Sequence, residues 1–168
     1  MSTLNQVQAH DWNGFLRTRL DSNAPGAPLD GLERAGWRLT YADKPSEFAR
    51  NDDREDRFED YAYSLGLYLK KDGEIDSVLW GSPAFEAGLN TASQIVAVQG
   101  RSYQPERLSD AVTANKGGKA PLALLVKEGD AYRTVVVDYR GGLRYPRLER
   151  ISGTPDRLET GLWAARMQ

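Results

Sequence analysis

Few residues in this chain have the types and spacing that side-chain chemistry demands. His10 is the single histidine and cysteine is absent from the 168 residues, so a zinc site built from histidine and thiolate is excluded. Metal-assisted hydrolysis on a helix needs two histidines at H-E-x-x-H spacing plus a third ligand, and that pattern does not occur. A Ser-His-Asp triad would have to recruit His10, and no serine stands in a G-x-S-x-G turn. No G-x-G-x-x-G or phosphate-loop pattern opens a helix, which argues against nucleotide binding. From Glu47 to Asp60, seven acids (Glu47, Asp52, Asp53, Glu55, Asp56, Glu59, Asp60) meet three arginines (Arg50, Arg54, Arg57), a density that raises the question of a cation site. A helix-loop-helix calcium loop requires a glycine at its sharp turn, and none lies between Gly36 and Gly66, so the stretch reads as a solvated linker or exposed loop. Gly66 interrupts the apolar run from Tyr61 to Lys70, where it either relieves a bulge in a strand or frees the backbone N–H groups beside it, which can hold an anion without any charged side chain.

The bulk properties are those of an ordinary globular chain of about one domain, with 40% hydrophobic and 27% charged residues. A net charge of -2 argues against general polyanion binding. The tail from Arg140 to Gln168 is mildly basic, but Tyr145 alone is thin support for stacking on nucleic acid, and its arginines are expected to face solvent or the acidic stretch. No apolar run approaches the ~18 residues of a membrane span. The first residues show no basic stretch followed by an apolar one, so no secretory leader is expected within them, and periplasm and cytoplasm remain equally open.

The elements that would position the Ser64 to Leu67 backbone follow from local signals. Asp11 is placed to cap a helix whose Trp12, Phe15, Leu16 and Leu20 share one face. A short helix is expected from Leu29 to Ala35, stopped by Gly36, followed by a strand through Trp37, Leu39 and Tyr41. These large apolar residues need a surface to pack against. Tyr61 to Lys70 reads as one strand interrupted at Gly66. The clearest unit runs from Ile75 to Gly100: a strand closed by Gly81, a helix capped by Ser82 and Pro83 and stopped at Gly88, and a second strand from Gln94 to Val98. Pro105 opens a helix to about Asn115 with Leu108, Ala111 and Val112 on one face. Leu122 to Lys127 and Tyr132 to Tyr139 form a hairpin around Glu128-Gly129-Asp130. Gly141 to Pro146 looks extended, and Thr154-Pro155-Asp156 begins a last short helix.

Gly81-Ser82-Pro83-Ala84, Ala87-Gly88-Leu89 and Ile95 to Gly100 together resemble the PDZ domain as it occurs in bacterial proteases, with Ser93-Gln94 standing where that motif has Gly-Asp. The resemblance implies an α+β, mostly β fold: a curved antiparallel sheet or partly open barrel with two short helices, preceded by a small helical segment. It also implies a groove for a peptide or protein C-terminus, with Ser64, Leu65, Gly66 and Leu67 as the carboxylate loop. Leu69 would stand on the adjoining strand, and Leu108, Ala111 and Val112 on the facing helix. Under that reading a β-branched residue at Gly66 abolishes peptide binding and leaves the fold largely intact.

The flanks extend the likeness. HDWNGFLRTRLD, PLDGLERAGWRLTYADKPSEF and GGLRYP-x-LER-x-x-GTPDRL, with the PDZ-like stretch, resemble the C-terminal portion of the glycyl aminopeptidase family, bacterial zinc metallopeptidases with a catalytic domain followed by a PDZ domain. This implies that residues 1–46 finish a catalytic region, 47–60 are an acidic linker, 61–139 are the PDZ-like domain and 140–168 a tail. No position matches the family's zinc ligands or catalytic glutamate, so no cofactor is assigned to this chain and zinc would belong to a catalytic domain outside it. Two functions stay open: a non-catalytic module that binds or positions peptides for an aminopeptidase, or a structural adaptor whose groove is filled by its own flanking segments.

Overall fold

The structure, a computed structural model, describes residues 2–7, 9–23, 26–47, 58–118 and 121–164, with backbone alone for the last four. The acidic stretch is therefore described only at its two ends, and the reading of residues 48–57 as a linker lies outside the described residues.

The local signals act where they stand. Helices α1 (Ser2–Val7) and α2 (Trp12–Asp21) open the chain, and Asp11 caps α2 by accepting the Gly14 N–H at 2.9 Å. The apolar face expected on α2 is only partly covered: Trp12 and Phe15 are half-buried, none of its side chains is fully buried and Leu20 is 81% exposed. Helix α3 (Asp30–Arg34) ends at Gly36, whose φ of 84° is a left-handed stop, and β1 (Trp37–Ala42) follows.

Next comes a mostly β body. Strands β2 (Phe58–Tyr61), β3 (Leu67–Lys70) and β4 (Ile75–Val78) form one antiparallel sheet in the order β2-β3-β4. Helix α4 (Pro83–Glu86) leads to β5 (Ser93–Val98), β6 (Arg101–Ser102), helix α5 (Pro105–Ala114), β7 (Leu122–Glu128) and β8 (Ala131–Val137). The second sheet runs β6-β5-β7-β8. The two sheets touch where Glu74 bridges Gln94 and the Ile95 N–H donates to Gly73 O at 2.8 Å. Gly73 is required there, because a Cβ would lie 2.4 Å from that Ile95 carbonyl oxygen. The sheets curve toward each other without closing, and their inner faces bury Leu67, Leu69, Ile75, Ile95, Leu124 and Val137 beside Leu108 and Val112 of α5. Each such side chain contributes about 1.5–3 kcal/mol. The architecture is α+β, mostly β and PDZ-like.

Helix α4 shows why a four-residue helix persists. Ser82 Oγ accepts the Phe85 N–H at 3.2 Å and Pro83 supplies the preset φ of the first turn. At the other end the Leu89 N–H donates to Ala84 O and the Gly88 N–H to Phe85 O, the paired C-terminal bonds that a left-handed glycine permits. The Ser93-Gln94 departure is accommodated by Asn90, whose Oδ1 accepts the Ala92 N–H at 2.8 Å, while buried Ser93 donates to Glu128 Oε1 at 2.8 Å.

Two sequence expectations change. Tyr61 to Lys70 is not one strand: the chain turns back over residues 62–66, so that Tyr61 pairs with Leu67 and Phe58 with Lys70. The first strand of this body also begins at Phe58, inside the stretch read as acidic linker. Second, the two flanks meet. Strand β9 (Tyr145–Arg150) pairs with β1 from Trp37↔Arg150 to Ala42↔Tyr145, and helix α6 (Arg157–Ala164) follows. Arg150 locks this unit by donating to the carbonyls of Gly36 and Thr154, pairing with Asp156 at 3.4 Å and lying over the Trp37 ring. The tail arginines with described partners thus serve their own neighbourhood, Arg140 pairing with Asp138 and Arg144 lying over Tyr41. The PDZ-like body is inserted between β1 and β9.

Candidate peptide groove

The groove expected from the sequence would lie along an edge of β3 beside α5, and neither edge of β3 is open. β3 is paired on both edges, with β4 on one side and β2 on the other. β2 runs antiparallel to β3 and ends at the 62–66 turn, the direction an added peptide strand would take with its C-terminus at that turn. Its last residue, Tyr61, is 2% exposed and donates its hydroxyl to Pro105 O at 3.3 Å, the first residue of α5. β2 therefore bridges β3 and the start of the helix.

Two of the turn amides are used within the chain. Ser64 N–H and Gly66 N–H both donate to Tyr61 O, at 3.0 and 2.9 Å. The rest of the turn is held from outside: Leu65 O accepts the Ala84 N–H and Gly66 O accepts the Leu79 N–H, both at 2.9 Å. Ser64 Oγ accepts the Arg144 N–H at 3.0 Å, so this hydroxyl faces the segment leading to β9. Gly66 has φ 81°, and a Cβ there would lie 2.0 Å from Ser82 Cβ. The expectation that a larger residue at Gly66 spares the fold is thereby corrected, since it would collide with the cap of α4.

The remaining predicted residues divide by what they face. Leu65, Leu67, Leu69, Leu108 and Val112 are all 2% exposed or less and belong to the common core. Ala111 is half-buried and lines an open cleft of about 400 Å³ between α5 and β5–β6, with Val98, Gln99, Arg107 and Asp110. Sequence reasoning missed Tyr61, Pro105 and Tyr103. Burial first, and then the charge of Glu59, pushes the Tyr61 phenol well above its ordinary pKa, and the same two causes raise Tyr103. The Tyr103 hydroxyl is buried with no hydrogen-bond partner among the described residues. Only the aromatic character of Tyr61 beside an acidic stretch marked it in the sequence. Among the described residues, no cluster of three or more His, Cys, Asp or Glu could hold a metal ion, and no helix is long and apolar enough to cross a membrane. The described residues do not fit a zinc site.

No protein-family model matches the chain, and no curated protein does. Among solved structures it is similar to an aminopeptidase N family protein from Idiomarina loihiensis, at 17% identity and a TM-score of 0.53, over 94% of this chain and 27% of that one. What the two share is a fold. The chain thus spans about a quarter of that protein's length, 27%. A second similar structure is the HtrA3 PDZ domain bound to a phage-derived ligand, at 16% identity and a TM-score of 0.33, over 67% of this chain and 92% of that one.

Proposed function

We propose that this chain is a non-catalytic, PDZ-like module of a larger peptidase, and that its peptide groove is filled by its own strand β2. The observation that carries the reading is the pair of bonds from Ser64 N–H and Gly66 N–H to Tyr61 O, made while β2 covers the edge of β3. A strand in that place turns a recognition groove into an internal joint. It ties the segment arriving from β1 to the PDZ-like body, and the β1–β9 pairing ties the far end of that body to the same ribbon. Such a module positions its neighbours and leaves chemistry to them. Support for the peptidase context is the shared fold with part of an aminopeptidase N family protein, together with the glycyl aminopeptidase motifs of the flanks. Any zinc, and the residues that hold it, would lie outside this chain, and the partner contacted across the flanks would be that catalytic region.

Amide hydrogen exchange on the free protein tests the groove directly. Ser64 and Gly66 are expected to exchange well below the rate of an open loop, though faster than the β3–β4 amides, with no peptide added. Exchange of these two amides at the rate of an open loop would mean an empty groove, and would overturn the reading.

A further inference from the structure

The structure points to β2 as a displaceable strap that copies the ligand of its own groove, and we infer that a peptide chain end with tyrosine as last residue competes with it. This inference rests on the filled-groove reading above. The strap is lightly held: of its four residues only Tyr61 is buried, while Phe58, Glu59 and Asp60 are half-buried. Four backbone pairs and one side chain make a unit that opens well before the body unfolds. The acceptor it offers is also the weaker of two possible kinds. Tyr61 O is a neutral amide oxygen receiving two N–H groups, and a terminal carboxylate at the same point would receive them with charge assistance. Against that advantage the tether gives β2 a high effective concentration, so an external peptide binds only through the open fraction.

The chemistry of the last residue follows from the same geometry. The Tyr61 ring sits in the core cluster and its hydroxyl meets a backbone carbonyl, Pro105 O, which takes a donor and rejects an acceptor. Phenylalanine would fill the space but lose this added hydrogen bond to a carbonyl that already serves the first turn of α5, so the groove prefers tyrosine by one hydrogen bond. The preceding acid is not read by the groove, because Asp60 Oδ1 is already used by the Ala62 N–H at 2.7 Å.

The test uses the full chain and a peptide of sequence Phe-Glu-Asp-Tyr with a blocked N-terminus and free carboxylate, followed by the amide signals of Ser64, Gly66 and Leu67. Weak binding is expected to the unaltered chain. It should become about tenfold tighter or more in Glu59→Pro, which disturbs β2 without touching the core. Binding should vanish for the C-terminal amide and fall for a peptide ending in phenylalanine. If Glu59→Pro fails to fold, Tyr61→Phe serves instead, loosening the strap by one hydrogen bond and raising affinity a few-fold. A folded variant with exposed Ser64 and Gly66 amides that binds no peptide overturns the strap and leaves the filled groove intact. Equal affinity in variant and unaltered chain, with those amides unprotected in both, overturns the filled groove as well.

Discussion

Gly66 and Gly88 give a comparison in which one physical cost can be subtracted from another. Both have positive φ, 81° and 78°, so an alanine at either pays the left-handed penalty of about 1–2 kcal/mol. At Gly88 a Cβ meets nothing within 4 Å, and that penalty is the whole cost. At Gly66 the Cβ would lie 2.0 Å from Ser82 Cβ and 2.3 Å from Ser82 Oγ, well inside contact distance. Both Leu65 and Gly66 are tied by backbone bonds to residues 84 and 79, so the turn cannot step aside cheaply. Overpacking of this kind adds about 1–3 kcal/mol. Gly66→Ala is therefore expected to destabilise by about 2–5 kcal/mol and Gly88→Ala by about 1–2 kcal/mol. Removing the obstructing atoms should rescue the first: with Ser82→Gly, which by itself loses only a few tenths of a kcal/mol as a cap, the double variant should recover roughly the overpacking cost. Urea denaturation with an unchanged slope measures each value. Equal losses at the two glycines, or strict additivity of Gly66→Ala with Ser82→Gly, would refute the argument.

Three further outcomes are expected. Arg150→Lys removes the planar fork that reaches Gly36 O, Thr154 O and Asp156 from beside Trp37, and should cost about 1–2 kcal/mol and shift the Trp37 fluorescence, while leaving the β3 amide signals in place. Ser93→Ala deletes the bond from a buried hydroxyl to Glu128, at about 1–2 kcal/mol; because that bond is the first cause of the lowered Glu128 pKa, an NMR titration should show Glu128 moving back up toward the usual carboxylate range. Hydrogen bonds from Arg19, then Arg34, hold the Asp30 pKa at about 2, against 3.8 for the free group. A lowered folded-state value means that its stabilising contribution is present above pH 3.8 and is lost as pH falls toward 2, so Asp30→Asn should flatten the acid limb of the stability curve in that window.

The sequence by itself determined the elements whose causes lie within a few residues. Ser82-Pro83 and Gly88 bracket α4, Pro105 starts α5, and Gly129, at φ 63°, takes the first position of the two-residue turn between β7 and β8. Caps and turns are local contracts between a side chain, a dihedral angle and a neighbouring amide, so they can be read without the fold. Gly66 marked a break in the run from Tyr61 to Lys70, but neither the return of the chain over residues 62–66 nor the acceptor that its N–H groups serve could be read there. Which strand covers β3 depends on the return of the chain at Tyr61, and the short, charged Phe-Glu-Asp-Tyr segment has no alternation to announce a strand. The pairing of β1 with β9 joins residues on either side of the entire PDZ-like body, and the lack of room for a side chain at Gly66 is set by Ser82, whose Cβ stands 2.0 Å from where an added Cβ would lie. Tertiary structure alone decided these, because a strand edge, a buried pocket and a steric collision are properties of surfaces brought together, and no single stretch of chain contains both surfaces.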